Sequence, residues 1–255
     1  MEITGRGKST VYHHIKDTPL SATKQKQIAK ESSVRAIALA ATRKGVAARP
    51  FTPFSVWTPQ RVLLVAHLIF DGEIMRSKCI YHNRSAALRD RVTTLMRELY
   101  QYPPSLNTNT KTGVTRVQFF NVALAVFLHT KATELLESIE LAPRVQKKEF
   151  LRAFFDDEGC MDFRPQSAKR TIRGYQNDQQ ILSCIKDLLQ DFSIEAQVRK
   201  PNEVVIAGKE NLLQFQKTIN FSKGVCINPN RTNSIWKKNL EKRQLLTMAI
   251  DSYQS

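Results

Sequence analysis

Two stretches of the chain decide its fold, LVAHLIFDG at 64–72 and LRAFFDDEG at 151–159. Each is an apolar segment with an alanine near its middle, and each ends in a carboxylate followed directly by glycine. The apolar run predicts a buried helix, and the glycine suits a helix end, where a left-handed backbone is often needed. One such segment is typical of an ordinary core helix, whereas two in one chain indicate an internal repeat.

The segments that follow the two stretches support this repeat. After each stretch come strand-like residues, a helix, a pair of strands and a second helix. The interval from Asp71 to Val117 equals the interval from Glu158 to Val204. The predicted helices lie at about 85–100, 122–137 and 178–192, with a further one from 209. The same elements at the same spacing predict a duplicated α+β unit.

The composition points to a polyanionic partner. Lys and Arg number 39 against 23 Asp and Glu, a formal net charge of +16, which favours phosphate contacts through counterion release. No apolar run of about 18 residues predicts a membrane helix, and the first residues lack the apolar core of a secretory signal. The 4 cysteines form no CxxC pair, which is typical of reduced thiols rather than a zinc site. We therefore expect a nucleic-acid-binding protein of the cytoplasm (with the nucleoid) or of an organelle, not a secreted one.

The two stretches resemble the LAGLIDADG motif of homing endonucleases, present twice in one chain. In that family the motif helices pack side by side at a pseudo-twofold axis, and each half lays a saddle of antiparallel strands in the DNA major groove. The resemblance covers residues 58 to 225. It implies two αββαββα halves at 58–143 and 144–225, a basic helical segment at 1–50 and a basic C-terminal helix at 226–255.

Each motif residue type has a physical reason to stand where it does. We expect Ala66 and Ala153 to let the two motif helices approach closely. An acid at a helix C-terminus is disfavoured by the helix dipole, so its presence in both motifs favours metal binding. The resemblance implies that Asp71 and Glu158 are catalytic acids that hold Mg²⁺ (or Mn²⁺), which activates water and stabilises the leaving oxygen.

The sequence departs from the family pattern beside both acids. Phe70 is bulky where the motif usually has a small residue. The second acid is Glu rather than Asp, and Asp156 and Asp157 precede it. By alignment Glu158 takes the metal position, and Asp157 should point elsewhere on the helix.

Basic and amide residues of the strand segments are the predicted DNA contacts. Arg and Gln can read base edges, while Lys more often neutralises phosphate, and strand alternation would send about half of them into the groove. Lys78 and Lys169 are candidates either for catalytic support near the metals or for simple phosphate contact. The full set comprises Arg76, Lys78, Arg116 and Gln118 in the first half, and Arg164, Gln166, Lys169, Arg170, Arg173, Gln197, Arg199 and Lys200 in the second.

The two ends of the chain carry weaker signals. The segment GKSTVYHHIKDTPLS at 7–21 resembles the recognition helix and exit turn of a helix-turn-helix domain; a basic amphipathic arm is the equal alternative. Ser21 is a predicted N-cap for a helix running toward Lys44, and Thr58 with Pro59 is a predicted start of the first motif helix. The segment 233–253 is predicted to be a basic amphipathic helix.

The resemblance implies a monomeric, metal-dependent endonuclease that breaks double-stranded DNA at a long site, of the type linked to intron or intein mobility. Two other functions remain open at this point. One is a DNA-binding transcription regulator that keeps the fold but does not cut, although such relatives typically lack one or both motif acids. The other is an intron RNA maturase, which would use the same basic surface on folded RNA.

Overall fold

The computed structural model describes residues 21–31, 50–230, 232 and 234–253. The chain divides into two units, 1–47 and 48–255. The described part of the first unit is a helix at 22–31, and Ser21 Oγ accepts a hydrogen bond from the Lys24 N–H at 3.3 Å, as expected of its N-cap. Apart from Ser21, the helix-turn-helix-like segment lies outside the described residues, as does the continuation toward Lys44.

The second unit contains two successive runs of helices and strands. The first runs α1 Pro59–Phe70, β1 Gly72–Met75, β2 Lys78–Asn83, α2 Ala86–Tyr100, β3 Ser105–Thr108, β4 Thr115–Phe120 and α3 Val122–Ser138, with a 3-10 turn at Ile139–Leu141. The second runs α4 Arg144–Asp157, β5 Gly159–Arg164, β6 Lys169–Tyr175, α5 Gln179–Gln190, β7 Ala196–Arg199, β8 Glu203–Ala207 and α6 Lys209–Thr218, followed by α7 Lys242–Asp251. The αββαββα order occurs twice, which confirms the predicted fold.

Each half folds its strands into an antiparallel sheet, with orders β1-β2-β4-β3 and β5-β6-β8-β7. In β4, Thr115, Val117 and Phe119 are buried while Arg116 and Phe120 are exposed, as the period of two requires. Each sheet therefore has a core face and an opposite, open face. The polar and basic residues of the strands lie mainly on the open faces.

The motif helices α1 and α4 pack against each other. Thr58 Oγ1 accepts from the Arg61 N–H at 3.3 Å, and Pro59 is the first helical residue, so the predicted start of α1 is confirmed. Ala66 and Ala153 are both 0% exposed. The buried leucine and phenylalanine side chains around them each stabilise the packed state by about 1.5 to 3 kcal/mol.

Phe70, the bulky departure from the motif, is accommodated by aromatic residues of α4. Its ring centroid lies 5.2 Å from that of Phe150 and 5.2 Å from that of Phe154, both edge to face. This is the geometry that aromatic pairs prefer. The large side chain therefore joins the two helices instead of separating them.

The expectation of a left-handed backbone at Gly72 and Gly159 is wrong. Among the described residues, the glycines with positive φ are Gly113, Gly208 and Gly224. A Cβ at Gly72 would lie 2.4 Å from the Leu68 carbonyl oxygen, and one at Gly159 would lie 2.5 Å from that of Phe155. The chain leaves each motif helix so closely against its last turn that only glycine fits.

The prediction of one helix over 233–253 is wrong in its first part, since α7 begins at Lys242. Trp236 holds the preceding loop in place: its Nε1 donates to the Phe163 carbonyl at 2.9 Å and its ring stacks on Phe163. A reciprocal capping box between Glu241 and Gln244 then starts the helix. No helix of the described residues is long and apolar enough to cross a membrane.

We expect Ala66→Leu or Ala153→Leu to lower the free energy of unfolding by about 1 to 3 kcal/mol, because the added methylenes overpack a filled helix interface. Ala123→Leu, at an exposed position of α3, is the matched control and should have little effect. Urea denaturation of the three variants measures this. Equal stabilities would contradict tight packing at the two alanines.

Candidate active site

The two motif acids occupy equivalent places at the ends of the motif helices. Asp71 is the C-cap of α1 and Glu158 is the C-cap of α4. The Asp71 carbonyl accepts from the His82 N–H at 2.9 Å, and the Glu158 carbonyl accepts from the Tyr175 N–H at 3.2 Å. Both acids line one open cleft of about 1160 Å³. Helix and hairpin thus hold each acid in the same backbone setting.

The surroundings of both acids favour the protonated form. Burial, together with the charges of Asp157 and Glu158, raises the pKa of Asp71 to about 8. Burial and the charge of Asp157 raise the pKa of Glu158 to about 7. Groups that are desolvated and repelled in this way are typical of functional sites. A cation beside them would relieve the repulsion.

Lys242, the first residue of α7, is the lysine whose charge acts on both acids. It is buried, and its Nζ donates to the carbonyls of Phe155 at 3.1 Å and Asp156 at 2.6 Å, at the C-terminal end of α4, where a cation is favourable. The pKa of Lys242 is lowered, because the effect of burial outweighs that of the neighbouring acids, which raise it. Sequence reasoning missed this residue because a lysine in a basic tail looks like any other surface charge.

Asp156 is used to hold the structure together and is 1% exposed. Its Oδ2 lies 2.8 Å from Arg91 Nη1 of α2, and its Oδ1 accepts from the Ser222 N–H at 2.9 Å. Both oxygens are therefore committed to partners within the protein. The assignment of the second metal position to Glu158, rather than to Asp156, is consistent with these contacts.

The Asp157 side chain is buried at the interface of the motif helices. Its Oδ2 lies 2.8 Å from His67 Nδ1 on α1, and its Oδ1 accepts from the Tyr81 hydroxyl at 2.5 Å. The side chains of His67 and Asp157 are both 0% exposed. The Asp157 carboxylate thus contacts both buried side chains, whereas His67 Nε2 has no hydrogen-bond partner among the described residues. His67 and Tyr81 were not predicted, because each looks like a packed core residue in the sequence.

Asn83, the last residue of β2, reaches the first acid directly. Its Nδ2 donates to Asp71 Oδ2 at 2.6 Å and to the Tyr81 hydroxyl at 3.1 Å. Its Oδ1 accepts from the Ser85 N–H at 2.8 Å, which fixes the orientation of the amide. Asn83 was also missed. Only the sheet register, which the sequence does not specify, shows that the end of β2 lies beside Asp71.

The structure does not bring Lys78 and Lys169, the candidates for catalytic support, to the acids. Each lysine begins the second strand of its hairpin, whereas the acids lie by the last residues of those strands. At about 3.3 Å per residue, the length of β2 or β6 separates them. Lys78 lies over the Phe120 ring at 5.3 Å, and Lys169 Nζ lies 2.8 Å from Asp162. The neighbouring cation is Lys242 instead.

The predicted DNA contacts separate into three groups by position. On the open faces lie Lys78, Arg116, Gln118, Arg164, Lys169, Arg173, Gln197 and Arg199. At the turns of the hairpins lie Arg76, Gln166 and Lys200. Arg170 faces the other way: its guanidinium donates to Ser252 and lies over the Tyr253 ring. Arg170 therefore packs the C-terminal end of the chain onto the second sheet, and its prediction as a DNA contact does not fit this placement.

Asp162 organises three of the basic side chains on the second open face. Its carboxylate lies 2.9 Å from Arg164 Nε, 2.8 Å from Lys169 Nζ and 3.4 Å from Arg173 Nη1. Although burial pushes its pKa up, hydrogen bonds from Lys169 and Arg164 hold the pKa of Asp162 below its usual value. One carboxylate thus gathers three cations next to the acid cleft.

The residues at the cleft fit a hard divalent cation that keeps part of its hydration. No group of three or more His, Cys, Asp or Glu side chains able to hold a metal occurs among the described residues. Mg²⁺, however, is usually held by one or two carboxylates together with waters and substrate phosphates. The carboxylates of Asp71 and Glu158, both desolvated and repelled by Asp157, match that donor set.

Comparison with known proteins agrees with this architecture. The family model of the LAGLIDADG-like domain matches residues 145–220. A crystal structure of an I-DmoI variant in complex with its target DNA in the presence of Mg matches with a TM-score of 0.50 at 13% identity, over 63% of this chain and 95% of that one. The chain has the LAGLIDADG fold.

A second LAGLIDADG-fold structure matches to a similar degree. Full-length DUF199/WhiA from Thermatoga maritima gives a TM-score of 0.50 at 16% identity, over 72% of this chain and 61% of that one. At these identities the likeness shows the fold alone. A search of curated proteins found no significant match.

Asp71→Asn should stabilise the metal-free protein at alkaline pH. Because burial raises the pKa of Asp71 to about 8, the folded state keeps a proton that the unfolded chain releases near pH 4. The contribution of this carboxyl to the free energy of unfolding is fully present below about pH 4 and is lost as the pH rises through about 8. At pH 9 with EDTA we expect a gain of at least about 1 kcal/mol, roughly 2 to 4 °C in Tm, and none at pH 4.

Thermal unfolding of wild type and variant at several pH values measures this difference. Asp187→Asn, at an exposed position of α5, is the control for a lost surface carboxylate. If the Asp71→Asn gain were the same at pH 4 and pH 9, the shift in the pKa of Asp71 would be refuted.

Lys242→Met should destabilise the protein by about 3 to 5 kcal/mol, because it removes the cation from a buried charge cluster. The loss should shrink in the Asp71→Asn background, where one of the facing charges is gone. Urea denaturation of the double-mutant cycle measures the coupling. Lys238→Met, in the exposed part of the preceding loop, should change little, and additive effects in the cycle would argue against charge coupling.

Proposed function

We propose that this protein is a site-specific endonuclease that hydrolyses both strands of duplex DNA with a divalent metal ion. The observation that carries the proposal is the pair of acids, Asp71 and Glu158, at the ends of two packed motif helices in one cleft. Their raised pKa values, about 8 and about 7, are unfavourable for an unliganded protein. A bound cation would remove the repulsion between the acids, and this relief would contribute to the affinity for the cation.

The two sheets supply the binding surface. Arg and Lys side chains on the open faces would neutralise phosphates, while Gln118, Gln197 and the arginines can reach base edges. Asp162 keeps Arg164, Lys169 and Arg173 together beside the cleft. A net charge of +16 draws the duplex to this surface and makes binding salt dependent.

At the cleft, Asp71 and Glu158 would hold Mg²⁺ or Mn²⁺, which supplies a water of lowered pKa and charge stabilisation for the leaving oxygen. The chain's own part is to hold the two carboxylates still and to limit their repulsion through Lys242. Hydrolysis would leave 5′-phosphate and 3′-hydroxyl ends. Each half provides one acid, so one chain would serve both strands without a second copy.

The structural comparisons support a DNA partner. The matched I-DmoI variant is in complex with its target DNA in the presence of Mg, and I-DmoI is a homing endonuclease. The identities are low, so this support concerns the class of ligand and not the target sequence. In this chain, the basic open faces and the acids of the cleft support the same class of ligand.

A regulator that binds DNA without cutting is the second candidate. It would use the same open faces and would need neither motif acid. Two desolvated carboxylates in one cleft are hard to account for in such a protein, since an amide would hold the same position at lower electrostatic cost. This observation favours cleavage over binding alone, and it applies equally against an RNA maturase.

Cleavage of a randomised duplex library with Mg²⁺ is the deciding experiment. The purified wild type is compared with the Asp71→Asn/Glu158→Gln double variant and with an EDTA control, and salt-dependent binding is measured for each. We expect cuts at defined sites for the wild type, no cuts in either control, and retained binding by the variant. Substitution of Arg116 or Arg199 should instead weaken binding and reduce its salt dependence.

The other outcomes separate the alternatives. Enrichment of bound duplexes with no cut by wild type would favour the regulator. Preference for folded RNA over duplex DNA would favour the maturase. Loss of binding in the folded double variant would contradict the assignment of the two acids to metal.

A further inference from the structure

The internal repeat is broken at one contact between the motif helices. By their interval from the acids, His67 and Phe154 are equivalent positions, and so are Phe70 and Asp157. Phe70 packs against Phe154 with ring centroids 5.2 Å apart. The equivalent contact on the other side is polar, between His67 Nδ1 and Asp157 Oδ2 at 2.8 Å. The same interface is therefore aromatic on one side and hydrogen-bonded on the other.

The strands beside this contact also differ between the two halves. Gly72 lies opposite Tyr81 in the first sheet, and Gly159 lies opposite Gly174 in the second. The Tyr81 hydroxyl donates to Asp157 Oδ1 at 2.5 Å. A Cβ at Gly174 would lie 2.4 Å from the Phe154 ring, so a side chain there would displace that ring. The first half thus has a buried hydroxyl where the second half has an aromatic ring.

These groups form a hydrogen-bonded chain that ends on the first motif acid. From Asp157 it passes through the Tyr81 hydroxyl to Asn83 Nδ2, which donates to Asp71 Oδ2 at 2.6 Å. The second half has Gln176 in place of Asn83, and its side-chain oxygen accepts from backbone N–H groups of Asn177 and Asp178 instead. Within residues 50–230, no side-chain hydrogen bond to the Glu158 carboxylate corresponds to that of Asn83.

We propose that Asp157, Tyr81 and Asn83 are positioning residues for Asp71, so that the two motif acids bind divalent metal unequally. Asp157 lies on the second motif helix, whereas Tyr81 and Asn83 lie in the first half. Residues of both halves therefore orient the acid of the first site. The proposal rests on the proposed function in one respect, namely that Asp71 and Glu158 are metal ligands. Outer groups that orient a ligand carboxylate typically change metal affinity by about 10- to 100-fold.

The physical reason lies in the donors available to each group. Tyr81 has one hydroxyl hydrogen, and Asp157 accepts it, so the hydroxyl oxygen is left to accept from Asn83. Ser85 fixes the other end of the Asn83 amide. The Asn83 NH₂ therefore has one orientation, and it restrains Asp71 Oδ2. The Glu158 carboxylate, one methylene longer, carries no such restraint from a side chain of the described part.

Calorimetric titration of Mn²⁺ into the full-length protein tests this without requiring activity. The set comprises wild type, Tyr81→Phe, Asn83→Ala, Asp71→Asn and Glu158→Gln. Tyr100→Phe is the matched control, because the buried Tyr100 hydroxyl has no hydrogen-bond partner in the described structure. We expect the wild type to bind Mn²⁺ with two affinities and Tyr100→Phe to behave like it.

Tyr81→Phe should weaken one of the two affinities by about 10- to 100-fold, and it should be the one that Asp71→Asn removes. Asn83→Ala should have the same effect, and the two changes combined should not add, because they interrupt one chain. In the Asp71→Asn background Tyr81→Phe should have no effect on the remaining affinity, whereas in Glu158→Gln it should.

The contrary results are equally specific. A wild type with two equal sites, a Tyr81→Phe variant unchanged in affinity, or an equal loss at both sites would overturn the proposal, and so would no Mn²⁺ binding at all. If Tyr81→Phe unfolds, Asn83→Ala alone decides. Unequal Mn²⁺ sites in a protein that cuts no duplex would end the proposed function and leave this inference standing.

Discussion

The packing of α1 against α4 is the constraint on which the rest of the structure depends. Fully buried alanines, Ala66 and Ala153, keep both helix surfaces small, and large side chains on either side fill the remaining space. Because the C-terminal ends of the two helices lie side by side, their C-cap residues are neighbours. Each sheet then starts from the glycine after its acid, so the position of the DNA-facing surfaces follows from the same contact.

That arrangement concentrates negative charge where a helix terminus is already negative. Four carboxylates lie at these two ends, and the protein treats them differently. Asp156 is paired with Arg91 and Asp157 is buried with His67 and Tyr81, whereas Asp71 and Glu158 are partly exposed at the cleft. The charge of Lys242 offsets part of the repulsion between these carboxylates. The two acids left open to solvent are those that a cation from outside can reach.

Much of the architecture follows from the sequence, because helix ends and strand alternation are local signals. The repeat, the order of elements and the start of α1 all derive from residues close together in the chain. The site is a different matter. Asn83, Tyr81, His67 and Lys242 reach the acids from other elements, so their roles depend on sheet register and on how α7 packs. Arg170 shows the converse, since a basic strand residue can face the core side when the C-terminal end covers it.

The mismatch between the two sides of the helix interface also bears on the history of the protein. If two copies of the first half paired with each other, His67 would meet Phe70. If two copies of the second half did so, Asp157 would lie buried against Phe154 with neither of its hydrogen-bond partners, an arrangement that is strongly destabilising. The duplicated halves have therefore become complementary parts that are no longer interchangeable. A separated half could not make, with a second copy of itself, the contacts that it makes with the other half.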